Sequence, residues 1–381
     1  MLTDQQVAEL RSHFPILRNK TYLYSCSQGA LSDAVECGMR EYARSWSTAS
    51  DPWGEWMGVY EGLRADFAQF INASPDEVAI VNTASAGINA IANALSFGKR
   101  NKVVMGEYEF PTMGQIWLAQ QARGASVEFV DGTDDTIATD SYARTIDERT
   151  SIVPVTQVSF VNGFRSDVAG IVRLARAQGA LVFLDGYQDC GTRPIDVKAL
   201  DVDFFVTGTL KYLLSAAGVA FLYVRRELVE KLQPTITSWF SQRDVFAFNT
   251  KRLDPAPAAR RFETGTPPVP NLFMARPALQ LLVNIGMENV AAQIAGLARA
   301  FQRGARELGI ASKTPPDSCG PLVVLRAKDS AAIVERLAAR DIMVSARHDG
   351  VRCAFHVYNT LDDIGVALDA LKQNLNLMVR C

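Results

Sequence analysis

The stretch from Leu181 to Val224 constrains this chain more than any other. It opens with four consecutive apolar residues, Leu181-Val182-Phe183-Leu184, and stops at Asp185. Apolar residues at every position fit a strand covered on both faces, as in a parallel sheet. A second run, Phe204-Phe205-Val206, leads into Thr207-Gly208-Thr209-Leu210-Lys211, and a third, Val219 to Val224, closes the stretch. Open α/β sheets bind their ligands beyond the C-terminal ends of their strands. The pattern therefore predicts an acid at the end of one buried strand and a lysine just past the end of another.

That pair has a chemical reading. A lysine amine condenses with an aldehyde, and pyridoxal phosphate is the common biological partner. The pyridine nitrogen of that cofactor must stay protonated if the ring is to accept electrons, and a buried carboxylate holds the proton by a charge-assisted hydrogen bond. Lys211 would carry the cofactor, Asp185 would face the ring nitrogen, and Gln188 would donate near the ring hydroxyl. On these residues alone, a surface lysine and a turn aspartate remain the plain alternative.

The rest of the chain repeats strand, turn and helix. Glu77 to Val81 predicts a strand, and Asn82-Thr83-Ala84-Ser85-Ala86-Gly87 opens a helix to about Leu95. Free backbone N–H groups at Ala84 and Ser85, with the helix dipole, suit a phosphate. An N-cap role for Thr83 or Ser85 uses the same donors, so both readings hold together. Lys102 to Met105 predicts a buried strand that ends at Glu107-Tyr108-Glu109-Phe110-Pro111-Thr112, and Ser151 to Val155 predicts another, followed by Gln157 to Gly163. A helix over Asp167–Gln178 returns the chain to Leu181. This alternation predicts a parallel sheet with right-handed crossovers. Asp51 to Trp56 is expected as a loop whose tryptophans line a subunit interface in preference to a substrate pocket. Residues 276 to 381 have the pattern of a smaller α/β unit.

Composition excludes several classes. Hydrophobic residues are 48% and charged residues 21% of 381, and the formal net charge is −2, so no basic surface points to nucleic acid or an anionic membrane. No apolar run is long enough to span a bilayer. The first residues lack the basic and apolar regions of a signal peptide, and a cytoplasmic protein is expected. The six cysteines and His13, His348 and His356 show no metal-ligand spacing, so no metal is expected, and Cys190 is expected as a buried packing residue.

Asp185-Gly186-Tyr187-Gln188 together with Asp201 to Leu213 resembles the core of the class V aminotransferase family of pyridoxal-phosphate enzymes, and the resemblance runs from about Tyr22 to Thr360. It is strongest to the kynureninase and cysteine desulfurase-like branch. The resemblance implies the fold type I architecture, α/β with a mostly parallel seven-stranded sheet in a large domain, 16–260, and a small C-terminal α/β domain, 261–381, on which residues 1–15 would pack. It implies a homodimer with shared sites and an amino-acid substrate. By the family pattern, Ser85 binds the cofactor phosphate, Phe110 of Phe-Pro-Thr stacks on the ring, and Ser159 stands where many relatives carry asparagine near the ring hydroxyl. Thr266 of Gly-Thr-Pro would bind the phosphate in the neighbouring subunit. Arg352, before Tyr358-Asn359-Thr360, would clamp the substrate carboxylate, and the Ser25 to Gly29 turn, with Gln28, would reach the site.

Three departures narrow the chemistry. Met113 stands where kynureninases carry an acid, and Leu210 where family members place a phosphate donor, a loss that Thr209, Thr207 or a water would restore in part. The loop Ser345 to Gly350 has no cysteine of the kind desulfurases need, and Cys353, directly after Arg352 on a strand, should point to the opposite face. An aminotransferase-type reaction is expected. Kynureninase-like hydrolysis, C–S lysis and epimerisation stay open, as does a protein that binds the cofactor without catalysis.

Overall fold

The computed structural model describes residues 2–381. Its centre is a seven-stranded sheet made of β2 (Val78–Val81), β3 (Lys102–Gly106), β4 (Ser126–Val130), β5 (Thr150–Thr156), β6 (Leu181–Asp185), β7 (Phe204–Gly208) and β8 (Ala220–Val224). The strands lie in the order β2-β8-β7-β6-β5-β3-β4, and β8 alone runs antiparallel to its neighbours. Every residue of β7 and β8 is buried, and so is every residue of β6 but the first, as their unbroken apolar runs require. The edge strand β4, which the sequence pattern did not single out, exposes two of its five residues. A separate antiparallel sheet holds β9 (Leu322–Arg326), β11 (Ser345–Arg347) and β12 (Gly350–Ala354). The segment from Ile342 to Ser345 is divided between two sheets: β10 (Ile342–Met343) pairs with β1 (Thr21–Tyr22), and Ser345 opens β11.

The early helices are α1 (Asp4–Ser12), α2 (Asp33–Thr48), α3 (Trp53–Phe70), α4 (Ala84–Ala94) and α5 (Pro111–Ala119). The expected loop at Asp51–Trp56 is corrected here, because Trp53 starts α3. Pro52 precedes the first helical residue, where its missing N–H costs nothing, and the Asp51 carboxylate accepts the Trp53 N–H at 3.1 Å. Trp53 and Trp56 stand with ring centroids 5.4 Å apart, and Trp53 reaches Trp239 at 6.4 Å. α4 lies close against the sheet because Gly87 faces it: a Cβ there would stand 3.3 Å from Val206 and 3.4 Å from Leu222.

The N-terminal segment packs on the C-terminal elements. Arg11 donates to Asp363 at 2.8 Å and to the Tyr358 carbonyl at 2.7 Å, and the Phe14 ring lies 4.8 Å from that of Tyr358. The helix Val269–Ile285 packs back on α2 and α3, with Arg276 paired to Asp66 at 2.8 Å. No single helix among the described residues is long and apolar enough to cross a membrane.

Candidate active site

After β3 the chain moves outward to β4 and then returns to place β5 on the other side of β3. Loops that leave such a reversal in opposite directions open a crevice at the strand ends. A cavity of about 260 Å³ lies there, with Ser85, Phe110, Thr156, Asp185, Tyr187 and Lys211 on its wall. Asp185, Lys211, Ala84, Ser85, Phe110 and Gln188, widely spaced in sequence, all meet on this one surface.

Lys211 follows β7 on a loop that is tied shut. The Thr209 hydroxyl donates to the Ala216 carbonyl at 2.6 Å, and the Ser215 N–H returns to the Thr209 carbonyl at 2.9 Å. The Lys211 Nζ then stands 4.4 Å from the Tyr187 ring centroid and 5.5 Å from that of Phe110. Burial pushes its pKa down to about 8 against the pull of Asp185, and Arg352 and Arg347 add to the lowering. A free-base fraction therefore exists near neutral pH, which both nucleophilic attack and proton abstraction need.

Asp185 is 6% exposed. Burial raises its pKa, while the Tyr187 N–H, donating at 2.8 Å, and the Lys211 charge hold it down. Opposite, Thr83 caps α4 by accepting the Ala86 N–H at 3.0 Å, so the first-turn N–H groups of Ala84 and Ser85 remain for an anion.

Gln188 differs from expectation. Its Nε2 donates to the Cys26 carbonyl at 3.0 Å, and its Oε1 is buried without a partner. It offers the cavity an acceptor, not the expected donor. Three further candidates lie off the cavity wall. Ser159 is fully buried off the cavity wall, where its hydroxyl accepts the Val161 N–H at 3.1 Å. The Thr209 hydroxyl is spent on its own loop and does not reach the cavity. Gln28 is exposed and makes no side-chain hydrogen bond. Its neighbour Ser27, in the same turn, accepts from Arg352.

Arg352 is 1% exposed on β12 and pairs with Ser345 across the strands. Its guanidinium donates to the Ser345 hydroxyl at 3.1 Å, the Phe160 carbonyl at 3.0 Å and the Ser27 hydroxyl at 2.9 Å. All three acceptors are neutral, and no carboxylate pairs with it among the described residues. Three acceptors leave two of its five N–H groups for an anion. Cys353 faces the other way, into the core. Thr266 is exposed and off this wall. Met113 is fully buried beneath Trp117, whose Nε1 lies 3.2 Å from its sulfur, so that position does not face the cavity. The acid that this segment does send inward is Glu109, which the sequence did not mark. It is 8% exposed and accepts the Thr156 N–H at 2.6 Å.

A model of the family described as "Aminotransferase class-V" matches residues 28–368. The chain is 33% identical to an uncharacterized aminotransferase, YcbU, of Bacillus subtilis, over 95% of this chain and 96% of that one. It is 30% identical to a probable cysteine desulfurase of Streptomyces coelicolor, over 84% of this chain and 83% of the relative. An apo cysteine desulfurase from Thermococcus onnurineus superposes with a TM-score of 0.88 at 22% identity, over 99% of both chains.

Proposed function

The chain belongs to the class V aminotransferase family, and from that premise we propose that it is a pyridoxal-phosphate-dependent enzyme acting at Cα or Cβ of an amino acid, with an aminotransferase-type outcome. One observation carries the reading: the buried Lys211 amine stands between two aromatic rings, beside the Asp185 carboxylate. The residues fit the group, because the cavity joins this amine and this acid to a helix N-terminus with free donors and to the orphaned Gln188 Oε1. When bound, pyridoxal phosphate supplies an aldehyde for the amine and a ring that withdraws electrons from Cα.

The protein groups do the rest. Ala84 and Ser85 would hold the phosphate, Phe110 would cover the ring and exclude water, and Asp185 would keep the proton on the ring nitrogen. Arg352 grips the substrate carboxylate in a bidentate fork and so orients the Cα–H bond. With the group bound, the Lys211 amine would remove that proton and could return it elsewhere.

The test is an absorbance scan of the cofactor-loaded protein with a panel of amino acids, followed by product identification. Keto-acid formation from a small amino acid is expected, with slow or no hydrolysis of kynurenine. No thiol lies on the loop from Ser345 to Gly350, so cysteine should yield no protein persulfide. Efficient anthranilate release from kynurenine, or a persulfide on Cys353, would overturn this choice of reaction.

We further propose a homodimer in which Thr266 completes the neighbour's phosphate site. Supporting this are the exposure of Thr266 and the exposed Trp46, Phe246 and Phe248, large apolar side chains of the kind that subunit contacts cover. Sedimentation at working concentration should give a dimer, and Thr266→Val should weaken cofactor retention without changing assembly. A fully active monomer would refute the shared site.

A further inference from the structure

Glu109 lies between β3 and α5, one residue before Phe110, yet it is not part of the cavity wall. Its Oε1 takes the Thr156 N–H at 2.6 Å. Thr156 ends β5 and is paired in register with Asp185 on β6, so the Glu109 carboxyl is anchored on the strand next to Asp185. Its Oε2 is buried and has no partner. No lysine or arginine forms an ion pair with Glu109 among the described residues. The titratable groups that face it are Asp185 from β6 and Tyr142 from the helix Thr139–Thr145. The Tyr142 phenol is itself buried and its pKa is pushed up, so it brings no charge.

Of these two buried carboxyl groups, only Asp185 has a cation, Lys211, acting on it. Asp185 also has the Tyr187 N–H. A second ionised carboxylate in the same low-dielectric place would be repelled by the first and stabilised by no counter-ion. The proton therefore goes to Glu109.

We propose that Glu109 is a positioning residue: a neutral carboxylic acid behind the cavity wall that closes the end of β5 and leaves Asp185 as the single buried charge available to the ring nitrogen. The last clause rests on the pyridoxal-phosphate reading, whereas the protonation of Glu109 does not. Burial, with repulsion from Asp185, pushes the Glu109 pKa up to about 8, against the pull of the Thr156 N–H.

The experiment is infrared spectroscopy of the protein without cofactor, wild type minus Glu109→Gln, across pH. A protonated-carboxyl band is expected at pH ~6.5, lost with a midpoint near the value of about 8. Asp185→Asn, read by the same band, should lower that midpoint by removing the neighbouring charge, and it serves if Glu109→Gln does not fold. With cofactor, Glu109→Gln at pH ~6.5 should bind pyridoxal phosphate within about threefold of wild type and show the same absorbance, because the amide copies the neutral acid; one tenfold change corresponds to 1.4 kcal/mol. Absence of the band at pH ~6.5, a midpoint unmoved by Asp185→Asn, or a folded Glu109→Gln protein that binds more than tenfold more weakly would each overturn the proposal. Failure of the wild type to take up the cofactor would instead sink the functional reading, and the infrared result would still decide where the proton sits.

Discussion

Lys211→Ala is expected to give a folded protein that no longer turns over any amino acid. The loss should be at least ~10²–10⁴-fold, the usual worth of a positioned general base alone, with the nucleophilic role lost as well. Borohydride treatment of the cofactor-loaded wild type should fix the label to Lys211, and the variant should take up none. The fold has little to lose. The Lys211 Nζ makes no hydrogen bond among the described residues, and its ring contacts with Tyr187 and Phe110 are worth ~0.5–2 kcal/mol. Against that stands the burial of a cation. The folded pKa of about 8 lies below the unfolded lysine value of ~10.4, so stability is fully present above the unfolded value and is lost as pH falls through the folded one. At neutral pH the cofactor-free wild type carries that penalty in full, and Lys211→Ala does not. Thermal melts of the cofactor-free proteins should therefore bring the two together as pH rises. Peptide mapping that finds the label elsewhere, or turnover within tenfold of wild type, would defeat the assignment.

What the sequence revealed about this site divides along a physical line. Asp185, Lys211, Ser85 and Phe110 each follow a strand whose apolar run ends abruptly, and the C-terminal edge of a parallel sheet gathers such residues in one place. Ser159, Thr209 and Gln28 were legible only as polar residues near the site. Whether a hydroxyl faces a cavity or its own loop depends on how that loop closes, and Thr209 closes on Ala216 and Val219. Glu109 was invisible for a related reason. An acid before Phe-Pro reads as a solvated turn, and its burial arises only because β5 comes to lie beside β3, which brings in a Thr156 that is 47 residues away. The tryptophans at Trp53 and Trp56 failed differently, since Pro52, Gly54 and Gly58 weaken a helical pattern that tertiary packing then enforces.

Arg352→Ala should separate substrate binding from cofactor binding. The guanidinium is held by Ser345, Phe160 and Ser27, acceptors that fix its plane while neutralising none of its charge. Its two remaining N–H groups can make paired hydrogen bonds to a carboxylate at ~1.5–3 kcal/mol each, so alanine should cost ~3–6 kcal/mol, or roughly 10²–10⁴ in kcat/KM. Arg352→Lys should restore only part of this, because an ammonium supplies a point charge in place of a planar fork. The cofactor's absorbance should survive both changes, since Arg352 does not line the cavity that holds the ring. A second signature separates charge from packing. Arg352 helps to depress the Lys211 amine, so in the cofactor-free protein Arg352→Ala should let that amine titrate above the wild-type value of about 8, while Arg352→Lys should leave it nearer. Steady-state kinetics and a pH titration of amine reactivity read the two effects independently. If kcat/KM stays within threefold of wild type, Arg352 is not the carboxylate clamp; if the amine does not move, Arg352 does not tune Lys211; and if both hold, its three neutral acceptors hold a purely structural cation.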